Sequence, residues 1–481
     1  MFHGAVLLAI GMGLGRLLGL VRDYLIVSLL GVGESSDFFI MLATLPDTLM
    51  FLVGGSVFAS VVVPWYRTGP EIDAVNNWTD GIGTVINISV LVSIVLAVFH
   101  ESFSRLLIPS LSDQLLDQFS GYVVTVMLLF PVIIITQFRT CFLQARLQFS
   151  RMSLSTPVFN VTFIAVTGCS IALIVVVERA LLVAILAAVI VRAAFMIYGT
   201  QIRFGKTERV ELLHRTGFDF GYYGLAAVVG AGLVLLPIVA RSIESSSGDG
   251  AATYFHLGWR LYEFALGLVC YSIANSLIPR LKNDGVSQRQ AGTSISLILV
   301  LLTSVAIGAY ISSAWLGSTL KLLIAANDMD ADMLAAVIRA YAPSVVFYGV
   351  IIFVSTVLIA QRKATALLLS IVFGLIFLVS LAAIDGAPPV VFGASTCFMC
   401  GIQLYTFTRH FWVNIVDLGC LIVGLCLTSA MWIAAYHLNF IEVSGWTSIV
   451  LGVFAGLSVL MVAPLLSSNI RKMGSDYLGG C

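Results

Sequence analysis

Fourteen apolar runs of about 20 residues or more, joined by short polar connections, constrain this 481-residue chain more than any other feature. A helix rising about 1.5 Å per residue needs about 20 apolar residues to cross a hydrocarbon core roughly 30 Å thick. No water satisfies the backbone inside that core, so a run of this length and character reads as a helix. The runs cover 6–30, 38–65, 81–99, 121–144, 153–177, 181–202, 218–240, 251–278, 294–315, 334–360, 364–384, 390–407, 415–435 and 448–466. Composition agrees: 59% of residues are apolar, 10% are charged and mean hydropathy is +1.03, a balance foreign to water-soluble domains. The formal net charge is zero, which points away from a nucleic-acid partner. The expectation is an all-α integral membrane protein of about fourteen transmembrane helices. Residues 101–119, of mixed character, are expected to lie along the membrane surface as an amphipathic helix.

Fourteen spans put both chain ends on one side. If that side is the cytoplasm, fifteen lysines and arginines fall on inner ends and loops, Arg67, Arg146, Arg203 and Arg362 among them. Four fall outside, namely Arg105, Arg179, Arg241 and Lys321. Basic residues accumulate on the cytoplasmic side, so both termini are expected there, and the sequon Asn77-Trp78-Thr79 falls in a cytoplasmic loop. The hydrophilic connection 203–215 marks a boundary. The chain divides into an N-terminal lobe of six helices (1–202), a cytoplasmic linker (203–217), a C-terminal lobe of six helices (218–410), and two further helices with a cytoplasmic tail (411–481). A short internal repeat supports this division. A-S-V-V-V-P-W-Y-R at 59–67 and A-N-S-L-I-P-R-L-K at 274–282 each place a proline and a basic residue at the end of a span, six spans apart. An even number of spans keeps the two lobes parallel, with pseudo-symmetry about an axis along the membrane normal.

The charges inside the spans carry the functional information. Arg16, Arg22 and Asp23 lie within the first span, Asp37 just inside the second, and Arg260 and Glu263 within the eighth. A charged side chain near a bilayer centre costs roughly 2.5–3.5 kcal/mol on insertion scales, so such residues face a bundle interior or a wet cleft. Arg16 and Asp23 are seven residues apart and share a helix face, and Arg22 lies about 100° round. Arg260 and Glu263, three apart, share another face. Gly11, Gly15 and Gly19 form a smooth strip that admits a neighbouring helix. The plain structural alternative is local neutralisation, Arg22 with Asp23 and Arg260 with Glu263. Arg139, Arg192 and Arg339 are weaker candidates. Snorkelling suffices for Arg139 and Arg339, whereas Arg192 lies deeper and is evenly balanced between the cleft and a structural place. Asp47, after Pro46, is expected to take a backbone donor freed at the helix bend.

The run G-R-L-L-G-L-V-R-D at 15–23, then G-V-G-E-S-S-D-F-F at 31–39 and Leu45-Pro46, resembles the first two helices of the MurJ (MviN) lipid II flippases, which belong to the multidrug/oligosaccharidyl-lipid/polysaccharide exporter superfamily. R-L-Y-E-F-A-L-G at 260–267, followed by L-I-P-R-L, resembles their eighth helix. The resemblance implies that Arg16, Arg22 and Arg260 line a central cavity, where guanidinium forks can grip a diphosphate. Asp23 and Glu263 would then orient those arginines in the empty state. The second helix departs from the family pattern: Met50 and Phe51 stand where an arginine pair is usual, and Gly55 where a glutamate is usual. The ligand should remain anionic, while its head group need not be that of lipid II.

Substrate-binding residues are therefore expected to be Arg16, Arg22, Asp23, Asp37, Arg260 and Glu263. The resemblance implies a flippase that moves a polyprenyl-diphosphate-linked saccharide, either an exopolysaccharide repeat unit or a lipid II type precursor, from inner to outer leaflet. It would act as a monomer in a bacterial inner membrane, by alternating access. No cofactor is expected, and coupling to an ion or to the membrane potential is left open. A multidrug or ion antiporter of the same superfamily is the runner-up, disfavoured by the arginines. A membrane glycosyltransferase or polymerase is disfavoured by short outer loops and the lack of a catalytic or metal-binding cluster. Cys397 and Cys400 form a C-x-x-C inside an apolar helix, where packing outranks redox chemistry.

Overall fold

A computed structural model of the chain describes residues 2–54, 82–109, 111–146, 148–173, 176–198, 220–248, 250–277, 288–324, 329–382 and 388–411. Among these residues all regular structure is helical. The first part of the chain contributes α1 (Phe2–Leu30), α2 (Glu34–Gly54), α3 (Ile82–Val98), α4 (His100–Leu107), α5 (Asp113–Met127), α6 (Phe130–Ala145), α7 (Phe149–Ala172) and α8 (Val177–Ile197). The second contributes α9 (Phe220–Ser245), α10 (Ala251–Leu266), a π-turn (Gly267–Tyr271), α11 (Ser272–Leu277), α12 (Gln288–Ile311), α13 (Ser313–Ile324), α14 (Ala331–Ala360), α15 (Ala364–Ala382) and α16 (Pro388–Phe411). Apart from α4 and most of α13, these helices lie on the described parts of the first twelve apolar runs. The linker 203–217, the last two spans and the sequon lie outside the described residues, as does most of the internal repeat.

Seven described helical segments are long and apolar enough to cross a membrane, and the most buried of them is α14. The fourth run is realised as α5 and α6 in series, a 33-residue segment from Asp113 to Ala145. Residues 101–119, expected as one surface helix, fall on two helices, α4 and the start of α5. The chain turns by 79° between the end of α3 and α4. After α12 the chain turns at Ser312 and makes α13, an apolar helix of 12 residues. At about 1.5 Å per residue α13 is too short to cross a bilayer.

Packing follows the smooth faces. α1 packs along α7, and α7 along α8. The small residues of α1 permit this: a methyl group on Gly15 would lie 2.9 Å from Thr156 Cβ, and one on Gly11 would overlap Ser153. The amide of Asn160 donates to the Gly15 carbonyl at 2.8 Å across the same seam. α1 ends at Gly31, whose φ of 76° suits glycine and whose N–H closes on the Val27 carbonyl at 2.9 Å. In the second part of the chain, α14 sits centrally against α10, α12, α13 and α16. The two groups of helices meet where α1 packs on α10, the π-turn and α11, and where α2 packs on α9.

Candidate functional site

At that meeting place lies a cavity of about 120 Å³, lined by polar side chains from both groups of helices. Arg16 reaches it from α1, Asp47 from α2, Arg241 from α9, and His256, Arg260 and Glu263 from α10. One wall is aromatic, with Phe255, Trp259 and Tyr348 around the polar groups. Trp259 and Tyr348 meet edge to face at 5.7 Å between centroids.

The ion pairs run across the seam more than along each helix. Arg16 donates through Nη1 to Glu263 Oε2 at 2.7 Å. Arg260 donates through Nε to Asp23 Oδ2 at 2.7 Å and through Nη1 to Glu263. His256, one turn before Arg260, places Nε2 2.9 Å from the same Asp23 oxygen. Because a carboxylate only accepts, His256 donates there. Four of the six residues singled out in the sequence, Arg16, Asp23, Arg260 and Glu263, thus form one network tying α1 to α10. Arg16 and Glu263 keep 15% and 25% of their side chains exposed to the cavity, while Asp23 has none.

Arg22 is placed differently. It is wholly enclosed behind Asp23, with Nε 2.8 Å from Oδ1 and Nη1 3.4 Å from the Ala43 carbonyl. Its guanidinium lies over the rings of Phe159 and Phe163 on α7, at 5.7 and 5.9 Å. The cavity wall does not include it. The cause is helix phase: about 120° round the helix from Arg16, the side chain turns toward α7 rather than α10. Asp37 is also separate. It accepts from the Thr253 hydroxyl, and its backbone carbonyl accepts from Arg241 at 2.9 Å. Ser36 meets Thr253 at 3.2 Å beside it. These contacts form a second tie, of α2 to the start of α10 and to Arg241 of α9, and Asp37 itself does not line the cavity.

Several cavity residues were not legible. Asp47, expected to take a backbone donor, instead accepts from Arg192 of α8 at 2.9 Å. Arg192 is also held by Ser155 Oγ at 2.8 Å and Met50 Sδ at 3.3 Å. A guanidinium from α8 therefore stands beside position 50, where α2 itself carries methionine. Arg241, placed by its position at the outer edge of a span, lines the cavity and ties to α2. His256 had one available signal, its i−4 spacing to Arg260 on the same face. Arg139 is buried, donates to the Met196 carbonyl at 3.3 Å and does not reach the cavity. Arg339 donates to Ser313 Oγ at 3.0 Å. Cys397 and Cys400 lie on α16 as free thiols, one exposed and one buried.

Residues 26–465 match the family described as lipid II flippase MurJ. A curated relative, a probable lipid II flippase MurJ from Aquifex aeolicus (strain VF5), is 21% identical over 372 residues, 76% of this chain and 73% of that protein. Among solved structures, a lipid II flippase MurJ in an inward closed conformation has a TM-score of 0.69 at 18% identity, covering 96% of this chain and 100% of the other. A variant of the Vibrio cholerae MATE transporter VcmN gives 0.64 at 14% identity, covering 86% and 98%. An outward-facing multidrug resistance MATE transporter of the MOP superfamily gives 0.59 at 14% identity, covering 89% and 96%. At such identities the structural likenesses establish the shared helical fold.

Proposed function

The chain belongs to the lipid II flippase MurJ family, whose members are membrane transporters rather than enzymes, and from that premise we propose that it carries a polyprenyl-diphosphate-linked saccharide from the inner to the outer leaflet, with the diphosphate held between Arg16 and Arg260. One observation carries the reading: guanidinium groups from both groups of helices converge on one cavity and share Glu263. Arginine is always charged and presents a planar fork that matches phosphate oxygens. A diphosphate entering the cavity competes with Asp23 and Glu263 for the same forks. Taking them loosens the ties between α1 and α10, so binding and the parting of the two groups of helices are one event. The cavity as it stands is far smaller than a lipid-linked saccharide, so carriage requires that parting. The two groups then act as the two lobes of an alternating-access cycle, with both termini cytoplasmic, as the distribution of basic residues favours.

Two head groups fit this chemistry. A lipid II type precursor follows from the family. The repeat unit of an exopolysaccharide is the second reading, favoured by Met50 and Phe51 in place of an arginine pair and by Arg192 reaching position 50 from a different helix. The MATE likeness does not make cationic drugs attractive cargo. On the cavity wall Arg16, Arg241 and Arg260 outnumber Asp47 and Glu263, so an anion suits it better.

The test is a pair of substitutions at one site. If Arg260 grips phosphate by its fork, Arg260→Lys loses binding of a polyprenyl-diphosphate saccharide almost as fully as Arg260→Ala. A lysine variant that binds like the wild type, at matched membrane expression, removes Arg260 from the site.

A further inference from the structure

We propose that His256 is the proton-binding site of the inter-lobe network, and that binding of the anionic substrate takes up a proton there. The inference rests on the diphosphate reading above and deepens it by naming a second ligand, the proton, for the same cavity.

His256 occupies a place that a purely structural histidine does not need. It is on the cavity wall, it is buried, and its Nε2 shares Asp23 Oδ2 with Arg260 Nε, at 2.9 and 2.7 Å. Charged groups face it from each helix that frames the cavity. α1 brings Arg16, Arg22 and Asp23, and α2 brings Asp47. α9 brings Arg241 and α10 itself Arg260 and Glu263, while the π-turn contributes the Tyr271 phenol and α14 that of Tyr348. In this network Asp23 is already served by Arg22 and Arg260. A neutral imidazole donating one hydrogen bond completes it, and a further cation among these arginines is disfavoured.

Substrate reverses that balance. A diphosphate that draws Arg260 away removes one cation from Asp23 and adds negative charge to the cavity that His256 lines. Both changes favour the imidazolium, which can then take the place of Arg260 on Asp23. No bond to carbon or phosphorus forms or breaks; one proton passes from solvent to the imidazole. By linkage, substrate raises the proton affinity of His256, and protonation raises substrate affinity by the same factor. A diphosphate joined to lipid at one end and sugar at the other carries one charge on each phosphate and does not titrate near neutrality, so the ligand itself does not supply the effect.

The experiment is calorimetry of the full chain in detergent, with a short-chain polyprenyl-diphosphate N-acetylglucosamine as probe. Titrations at one pH in buffers of differing ionisation enthalpy count the protons taken up, and affinity is measured from pH 5.5 to 8.5. The expected result is uptake of up to one proton by the wild-type protein. Affinity falls with rising pH, by at most about tenfold per unit, which is the linkage limit for a single proton. The His256→Gln variant keeps an N–H donor for Asp23, and its affinity should be flat across the range. Wild-type binding without proton uptake overturns the inference and leaves the diphosphate reading standing. Uptake undiminished in His256→Gln also overturns it, because the proton then resides on Asp23 or Glu263. Failure of the probe to bind at any pH overturns both. The wild-type proton count does not depend on whether the variant folds.

Discussion

Arg16 and Arg22 come from one motif and separate in space, and their difference is the sharpest residue-level result. Arg16 borders the cavity and pairs across the seam with Glu263. Arg22 is sealed between Asp23, the Ala43 carbonyl and two phenylalanine rings. Arg16→Ala should therefore purify with near wild-type thermal stability and bind a polyprenyl-diphosphate saccharide about 10- to 100-fold more weakly. That is the loss of one charge-assisted hydrogen bond, about 1.5–3 kcal/mol. Arg22→Ala leaves a hole and strips Asp23 of a buried partner, an effect of about 3–5 kcal/mol where a buried pair is broken from one side. It should lower the melting temperature measured in detergent well below that of Arg16→Ala. Equal melting temperatures would return Arg22 to the substrate-facing wall. The sequence made the charged residues conspicuous because intramembrane charge is expensive. It did not reveal their partners: helix phase gives the face on which a side chain lies, and only tertiary packing gives what that face meets. Asp47 with Arg192, and His256 with Asp23, are pairs of this kind, joined across 145 and 233 positions.

At the scale of elements, most of the first twelve apolar runs were legible as helices where the structure describes them, because length and hydropathy alone specify a membrane helix. The glycine strip of α1 was legible as a smooth face, and α7 is the helix that uses it. Gly11→Leu should wedge α1 from α7, since the new side chain meets both the Ser153 side chain and its backbone carbonyl. Gly121→Leu on α5 meets nothing within 4 Å and serves as the control. Size-exclusion chromatography in detergent should show loss of the monodisperse peak for the first substitution alone. A well-folded Gly11→Leu protein would mean that the α1–α7 seam is looser than described. α13 and the π-turn were not legible. α13 is apolar but short, so a hydropathy reading merges it with its neighbour. The π-turn inserts extra backbone inside α10–α11 and leaves no compositional trace. Such turns recur at functional sites, and this one directly follows the segment carrying His256, Arg260 and Glu263.

For the whole molecule, the polar contacts between the two groups of helices include two sets among the described residues. One is the network of Asp23, His256, Arg260, Glu263 and Arg16; the other is the tie of Asp37 and Ser36 to Thr253 and Arg241. Both tie α1–α2 to α9–α10, so the state described is one in which the groups of helices are drawn together over the cavity. The family and the shared fold were legible in two short motifs, because those motifs carry the costly charges. The closure was not, since it depends on which pairs form at once. The central claim is that the arginines of this cavity serve translocation of a diphosphate-linked lipid. It is tested most directly in vesicles reconstituted with the protein and a polyprenyl-diphosphate saccharide, by measuring how much initially internal saccharide becomes accessible to an external membrane-impermeant glycan-modifying enzyme. The wild-type protein is expected to expose the internal pool, while Arg16→Ala and Arg260→Ala, reconstituted at equal density, leave it protected. Exposure by both variants at the wild-type rate would contradict the account.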